Sequence, residues 1–258
     1  MKTVAIVQAR MGSTRLGGKI LKPLADKPVL WHVVNRMRHC KHVDQVVVAT
    51  TDKPTDDVTE QYCRENGIDC FRGSDDDVLD RFYQSARLYG ADHVVRITAD
   101  CPVVDPIVVD EIIEMYCRDG YDVCRPGTEF PDGLDCAVFS FKVLEDTWQN
   151  ATLPSDREHI SPYMEKHTEK FRVGMYERYK GLAHLRWTLD EEDDYRFLQE
   201  IYHRLYEPGK IFYAEDILRV LEKEPHLSEI NAWIVRNEGY LKSLKKDEEL
   251  QKKQLQGE

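Results

Sequence analysis

Residues 3–19 are TVAIVQARMGSTRLGGK, a short apolar run that passes directly into a loop with three glycines, three cationic side chains and two hydroxyl groups. Glycine lets backbone N–H groups approach an anion closely, hydroxyl groups donate further hydrogen bonds, and Arg or Lys neutralises charge. The spacing is not that of a P-loop, because Lys19 is followed by Ile20 instead of Ser or Thr, and it is not G-x-G-x-x-G. We therefore predict a phosphate-binding loop of another kind after the first strand.

Outward from this loop, short β-branched runs alternate with longer amphipathic stretches through the first half of the chain. Strands are predicted at 3–8, 46–50, 68–71 and 93–98, and helices at 29–39, 55–66 and 78–89. This alternation predicts an α/β fold with a mostly parallel central sheet flanked by helices. Ligands of such sheets bind in the loops at the carboxyl ends of the strands. Further along, we predict a loop at 125–133, strands at 136–141, 171–177 and 184–189, and a helix at 157–166.

Composition excludes several classes of protein. The formal net charge of −11 argues against a nucleic-acid binder, which needs a basic surface. No segment approaches the roughly 20 consecutive apolar residues that span a bilayer, and no signal-peptide pattern is present. The seven cysteines contain no C-x-x-C pair, which favours reduced thiols over a disulfide framework or a zinc site. We predict a cytoplasmic protein that binds neither nucleic acid nor membranes.

The loop sequence ARMGSTRLGGK resembles the A-R-x-G-S-x-R-[LI]-P-x-K signature of the cytidylyltransferases that activate sialic acid and keto-deoxy-octulosonate. It is more similar still to the spore coat polysaccharide biosynthesis protein F branch of that superfamily, although Gly17 stands where Pro is usual. The resemblance implies a GT-A-like (Rossmann-like) nucleotide-diphospho-sugar transferase fold. It also implies that CTP phosphates are surrounded by Ala9, Arg10, Gly12, Ser13, Arg15 and Lys19, with Lys19 as the main β/γ-phosphate contact.

The second loop, RGSDDDVLDR (72–81), has acidic residues that suit the first turn of a helix. The whole string is also similar to the R-G-S-x-D-D-V-L-D-R block of the spore coat branch. That resemblance implies contacts from Ser74 and Arg81 to the base and ribose.

Two segments, RITADCP (96–102) and HLRWTLD (184–190), each place an aspartate directly after a strand-like run. Asp100 matches the x-D-x-P aspartate that holds the catalytic Mg²⁺ in this superfamily, and Asp190 resembles the aspartate of the L-T-V-D-T-P-E-D element. Mg²⁺ is held by one or two carboxylates together with water and substrate phosphate. The resemblance implies Asp100 and Asp190 as metal ligands, and Glu192 and Asp193 stay open as alternatives to Asp190.

Two blocks in the middle of the chain resemble the branch near its acceptor sugar. PDGLDCAVF (131–139) is similar to P-D-G-L-D-x-E-V-F, with Ala137 at the usual Glu position, and implies a role for Asp135. DREHISPY (156–163) is similar to D-R-E-H-V-T-P-Y. Arg157 and His159 then either bind acidic or hydroxyl groups of the sugar or organise a subunit contact.

These features predict a Mg²⁺-dependent nucleotidyltransferase that joins CMP from CTP to a sugar or sugar acid and releases pyrophosphate, in polysaccharide or surface-glycan biosynthesis. Arg10, Arg15, Lys19 and Asp100 are the predicted catalytic residues, and a homodimer is expected. Three alternatives stay open: a glycosyltransferase that uses a nucleotide sugar, a nucleotidyltransferase for another base, and a non-catalytic nucleotide sensor.

The resemblance thins towards the carboxyl end, which predicts two parts. A nucleotidyltransferase domain is expected over residues 1–210 and a C-terminal helical extension over 211–258. The Lys/Glu/Gln-rich tail of this extension, from about residue 242, is predicted to be a frayed helix or disordered.

Overall fold

The structure is a computed structural model that describes residues 1–256. Its strands are β1 (Thr3–Gln8), β2 (Pro23–Leu24), β3 (Lys27–Pro28), β4 (Gln45–Thr51), β5 (Asp69–Gly73), β6 (His93–Thr98), β7 (Val123–Pro126), β8 (Ala137–Ser140) and β9 (Val173–Tyr176). Its α-helices are α1 (Val29–Met37), α2 (Asp57–Glu65), α3 (Val78–Leu88), α4 (Pro106–Asp119), α5 (Phe141–Asn150), α6 (Pro154–His159), α7 (Ser161–Lys166), α8 (Glu192–Leu205), α9 (Ala214–Lys223) and α10 (Glu238–Gln256).

Seven strands form one sheet in the order β5-β4-β1-β6-β8-β7-β9, while β2 and β3 pair separately. All neighbours in the large sheet are parallel except β8, which is antiparallel to both β6 and β7. The mostly parallel sheet flanked by helices is therefore confirmed. The chain moves from β1 outward to β4 and β5 and then returns to the other side of β1 with β6. Such a reversal opens a crevice beyond the carboxyl ends of the strands, where ligands of these sheets bind.

Strand β1 is buried on both faces, as a central parallel strand requires. Ala5 and Val7 belong to a core shared with α1, α4, α8 and α9, and Val4 and Ile6 belong to a second core under α3, α5 and α7. Ile217 of α9 packs in the first core, so this part of the C-terminal segment shares the main sheet's packing. The domain boundary at residue 210 stays a prediction.

Three local predictions differ from the structure. The strand predicted over 184–189 is wrong: the backbone partner of this segment changes from Asp132 to Asp100, so it forms a single β-bridge instead of a sheet strand. The helix predicted over 157–166 is broken at Ile160, whose φ of 68° interrupts the helical geometry between α6 and α7. Finally, β7 extends into the loop predicted over 125–133.

The tail for which the sequence predicted a frayed helix or disorder is helical in α10 up to Gln256. Two of its polar side chains, Ser243 and Asp247, are buried against the rest of the protein. Within residues 1–256, no helix has the length and apolar character needed to cross a membrane.

Candidate active site

The loop after β1 is closed by its own backbone. Gly18 has a φ of 65°, which favours glycine, and its N–H donates to the Met11 carbonyl at 3.3 Å. In the part of the chain that the structure describes, several backbone N–H groups of this loop donate no hydrogen bond to another protein group, and those of Gly12, Thr14 and Arg15 are among them. Unpaired N–H groups next to cationic side chains form a site suited to an anion.

Lys19 links this loop to the two carboxylates predicted from distant segments. Its Nζ lies 2.7 Å from Asp100 Oδ2 and 2.7 Å from Asp190 Oδ1. Burial alone would lower the pKa of Lys19, but the two carboxylates outweigh it and the pKa is raised above its usual value. Burial likewise opposes ionisation of Asp100, but the adjacent Lys19 charge and hydrogen bond hold the pKa of Asp100 below its usual value. The site therefore places two carboxylates around one cationic position.

Asp190 is held in place by a buried ion-pair network. Arg186 binds Asp194 through two hydrogen bonds of 2.8 and 2.9 Å, and it also contacts Asp132 at 2.9 Å and Asp190 at 3.3 Å. The Asp194 carboxylate accepts from the Asp190 backbone N–H at 2.9 Å, and Asn231 donates to Asp194 at 2.9 Å. Burial opposes the charge on Arg186, but its acidic neighbours raise its pKa overall.

The two arginines of the loop are paired with carboxylates at the rim. Arg15 lies 2.9 Å from Asp190 and 3.0 Å from Glu238 at the start of α10, and Arg10 lies 3.3 Å from Asp75. These side chains are partly exposed, so their ion pairs contribute little stability and can exchange for a bound anion.

Asp56 positions the start of the loop. Its carboxylate accepts from the Met11 N–H at 2.7 Å and from the Thr51 hydroxyl, and its side chain is buried. The loop is thus tied to the carboxyl end of β4 as well as to β1.

A cavity of about 380 Å³ lies over the carboxyl ends of β1 and β6. The loop supplies one wall, Val78 and Arg81 of α3 a second, and Glu158 and His159 of α6 a third. Helix α10 supplies the remaining side through Gly239, Lys242, Ser243 and Lys246. All predicted phosphate and metal residues border this one cavity: Ala9, Arg10, Gly12, Ser13, Arg15, Lys19, Asp100 and Asp190.

Of the two residues predicted to contact the base, only Arg81 borders the cavity. Burial lowers the pKa of Arg81 to about 10, and its Nε is buried without a hydrogen-bond partner among the described residues. Ser74 lies behind it, where its carbonyl accepts from Arg81 at 2.6 Å and its hydroxyl accepts from the Asp77 N–H at 3.1 Å. Ser74 therefore positions Arg81 and the start of α3, and is not itself at the cavity.

The three predicted sugar residues are separated in the structure. Only His159 borders the cavity; burial lowers its pKa to about 4, so the ring is neutral near pH 7, and its Nε2 lies 3.1 Å from Ser243 Oγ. The Arg157 guanidinium is occupied by the Asp77 carboxylate at 2.7 Å and by two backbone carbonyls, which leaves it no free direction towards the cavity. Asp135 accepts from the Gly133 N–H at 3.0 Å in its own turn. Neither Arg157 nor Asp135 is brought to the cavity.

Several functional positions were missed from the sequence. Asp56 and Arg186 act through pairings with residues far along the chain, and no local pattern marks such pairings. Neither alternative to Asp190 borders the cavity: Glu192 is exposed, and Asp193 pairs with Arg196 at 3.0 Å and accepts from Trp233 at 3.1 Å. For α10 a signal existed, because Gly239, Lys242, Ser243 and Lys246 are spaced as one helical face.

The carboxylate oxygens of Asp100 and Asp190 beside Lys19 are suitable ligands for Mg²⁺. No group of three or more His, Cys, Asp or Glu side chains gathers as a metal site within residues 1–256. Mg²⁺, however, is commonly held by only one or two carboxylates with water and substrate phosphates. Asp100 and Asp190 supply two such carboxylates, and the Lys19 ammonium between them occupies a position that already favours a cation.

Comparison with known proteins adds to this geometry. A family model described as Cytidylyltransferase matches residues 4–237 and ends just before α10. Spore coat polysaccharide biosynthesis protein SpsF of Bacillus subtilis is 33% identical over 228 residues, which are 85% of this chain and 94% of that protein. A 3-deoxy-manno-octulosonate cytidylyltransferase of Trichlorobacter lovleyi is 36% identical over 117 residues, 45% of each chain.

Among solved structures, a cytidylyltransferase from Leptospira borgpetersenii superposes with a TM-score of 0.83 at 34% identity. The match covers 88% of this chain and 96% of the Leptospira chain. The likeness therefore extends over most of both chains.

Proposed function

The chain belongs to the cytidylyltransferase family, as its motifs predicted, and from that premise we propose that it transfers CMP from CTP to a sugar or sugar acid and releases pyrophosphate. The match over residues 4–237 and the similarity to SpsF along most of both chains support this reaction and a place in glycan biosynthesis. The single observation that carries the proposal is the meeting of Lys19 with Asp100 and Asp190, beside a loop with unpaired N–H groups.

Different groups of the chain would have different roles in this reaction. The N–H groups of Gly12, Thr14 and Arg15 would bind phosphate oxygens, and Arg10, Arg15 and Lys19 would neutralise the pyrophosphate as it departs. A sugar hydroxyl would attack the α-phosphorus in line, forming the new phosphodiester bond as the bond to the pyrophosphate breaks. Phosphoryl transfer depends on positioning and charge neutralisation, so no side-chain nucleophile is required.

Asp100 and Asp190 are proposed to hold Mg²⁺. When bound there, the ion would neutralise charge and polarise the phosphate oxygens. Arg186 keeps the Asp190 carboxylate directed towards Lys19, so that both carboxylates point to one place. With the two carboxylates holding the ion, Lys19 would bind the substrate phosphates beside them.

We also propose a cytoplasmic, homodimeric protein. All seven cysteines are free thiols, which suits a reducing compartment. Trp233 and Val235 are 69% and 63% exposed, and these large apolar side chains near the start of α10 are candidates for a subunit contact.

Pyrophosphate release from free nucleotides tests the proposed reaction. Purified protein is incubated with Mg²⁺ and each of CTP, UTP, dTTP, GTP and ATP, with a panel of sugar acids, sugar phosphates and neutral sugars. We expect release with CTP and at least one acceptor. Pyrophosphate release with another nucleotide would change the base assigned to the substrate. Transfer only from preformed nucleotide sugars would favour a glycosyltransferase. Nucleotide binding without either reaction would indicate a sensor.

The glycosyltransferase alternative has less support in the structure. Its D-x-D metal motif could only be formed by Asp75–Asp77, but these side chains are already engaged. Asp77 caps α3 by accepting from the Asp80 N–H at 2.9 Å and also binds Arg157, while Asp75 pairs with Arg10.

A further inference from the structure

Helix α10 turns one face towards the nucleotide cavity. Gly239, Lys242, Ser243 and Lys246 all border the cavity, and their spacing of three, four and seven residues is that of one helical face. Lys245, on the same helix, does not border it. Helix α10 therefore adds two cationic side chains, Lys242 and Lys246, to the border of the cavity.

This placement is set by specific contacts along the first half of the helix. The buried Asp247 carboxylate accepts from the Ser155 N–H at 2.9 Å. One turn earlier, the Ser243 hydroxyl donates to Glu158 at 2.8 Å. At the start of the helix, Glu238 binds Arg15 of the loop at 3.0 Å. Because α6 and the loop after β1 both hold it, α10 presents its lysines to the cavity in a defined position.

Glu238 marks a position that favours an anion. One of its carboxylate oxygens lies 3.0 Å from the Arg15 guanidinium, and the other lies 2.7 Å from Lys242 Nζ. The carboxylate is thus held between a loop cation and a helix cation, at the mouth of the loop with unpaired N–H groups. A phosphate group carries more charge and more acceptor oxygens than a carboxylate, so it can replace Glu238 between the same two cations.

Lys246 is a second cationic side chain of α10 at the cavity, one turn beyond Lys242. Its Nζ lies 3.8 Å from Glu158, a distance longer than that of a direct hydrogen bond. The ammonium is therefore less tightly engaged than that of Lys242.

We propose that Lys242 and Lys246 of α10, together with Arg15, bind the terminal phosphates of the nucleoside triphosphate, and that Glu238 occupies this position when no nucleotide is bound. The inference rests on the proposed function, which it deepens by assigning the side of the site that holds the leaving pyrophosphate. It makes α10 part of the substrate site.

Binding measurements with three probes test the assignment. Calorimetric titrations of the full chain use Mg²⁺ with CTP, inorganic tripolyphosphate and cytidine. Lys242→Ala is expected to weaken binding of CTP and tripolyphosphate about tenfold, and Lys246→Ala less, because each removes one charge-assisted contact. Lys245→Ala, a matched loss of charge on the same helix, should change neither. Cytidine, which has no phosphate, should bind all variants equally.

Glu238→Gln is a further test, because it removes the carboxylate that competes with phosphate for Arg15 and Lys242. It is expected to tighten tripolyphosphate binding severalfold, whereas a merely structural role of Glu238 would weaken it. Equal affinities for Lys242→Ala and Lys245→Ala, or the same loss with cytidine as with CTP, would overturn the proposal. If the wild type binds tripolyphosphate but not CTP, the base assignment fails while the tripolyphosphate series still tests α10. If it binds neither, both proposals fail.

Discussion

Asp190 can serve a metal-dependent site only if its carboxylate is held in one place, and Arg186 is the residue that holds it. The Arg186 guanidinium contacts three carboxylates and is only 7% exposed. A buried pair of this kind is strongly destabilised when one partner is removed, since the other is left as an unpaired buried charge. At the residue scale, the second carboxylate of the site therefore depends on a side chain that does not border the cavity.

Replacement of Arg186 by Met is expected to lower the free energy of unfolding by about 3–5 kcal/mol, because Asp194 and Asp132 lose their buried partner. Urea denaturation measures the change. Arg196→Met is the matched control: Arg196 pairs with Asp193 on the surface of α8 with 69% of its side chain exposed, and its loss should cost less than about 1 kcal/mol. Equal costs for the two variants would show that the Arg186 network does not stabilise the fold.

At the scale of elements, the sequence predicted what is local and missed what depends on distant pairing. The loop after β1 carries its glycines and cations within a few positions, so its role was visible, and Asp100 follows an apolar strand directly. The segment 184–189 has the composition of a strand, but its hydrogen-bond partners are two separate loops. Arg157 was assigned to the sugar by motif alone, and only the fold reveals that Asp77 occupies it.

Helix α10 illustrates the same limit. Its sequence is rich in Lys, Glu and Gln, which is also typical of disordered tails. What fixes it is a pair of buried polar contacts, from Asp247 to α6 and from Ser243 to Glu158. Neither contact leaves a hydrophobic period in the sequence, so these two contacts are not predictable from it, although the residues that border the cavity are spaced as one helical face.

Asp247→Ala is expected to loosen α10, because the Ser155 N–H loses its buried acceptor at a cost of about 1–3 kcal/mol. Hydrogen exchange followed by mass spectrometry should show faster exchange across residues 238–256. The exposed neighbour Glu248 offers a control, and Glu248→Ala should leave exchange unchanged. Unaltered exchange in Asp247→Ala would mean that other contacts hold the helix.

At the scale of the whole molecule, stability should respond to acid through a histidine remote from the active site. His32 is buried, its Nε2–H donates to the Leu24 carbonyl at 2.7 Å, and burial lowers its pKa from 6.5 to about 4. Between these values the unfolded chain binds more protons than the folded protein, so stability falls as the pH falls from 6.5 to 4.

His32→Gln isolates this contribution, because the amide can still donate to Leu24 but does not titrate. On acidification from pH 6.5 to 4, the wild type is expected to lose roughly 3 kcal/mol more stability than the variant. The difference between the two proteins is the quantity to measure, since Asp132, whose pKa burial raises to about 7, acts in the opposite direction in both. Parallel pH profiles from urea denaturation would contradict the assignment.

The whole molecule carries a net charge of −11, yet it gathers Arg10, Arg15 and Lys19 at one loop facing two carboxylates. This local arrangement, and not the overall charge, is what would attract a triphosphate and a divalent cation together. We propose that the triphosphate and the divalent cation come together at Asp100.

Pyrophosphate release from CTP by the wild type and by Asp100→Asn, each with Mg²⁺ and with excess chelator, tests that claim most directly. The account predicts that the chelator abolishes wild-type release and that Asp100→Asn, still folded by circular dichroism, is slower by at least about 100-fold. Asp193→Asn, in the acidic stretch beside Asp190 but paired with Arg196, should retain activity. An Asp100→Asn protein as active as the wild type, or wild-type release that continues without a divalent ion, would contradict the account.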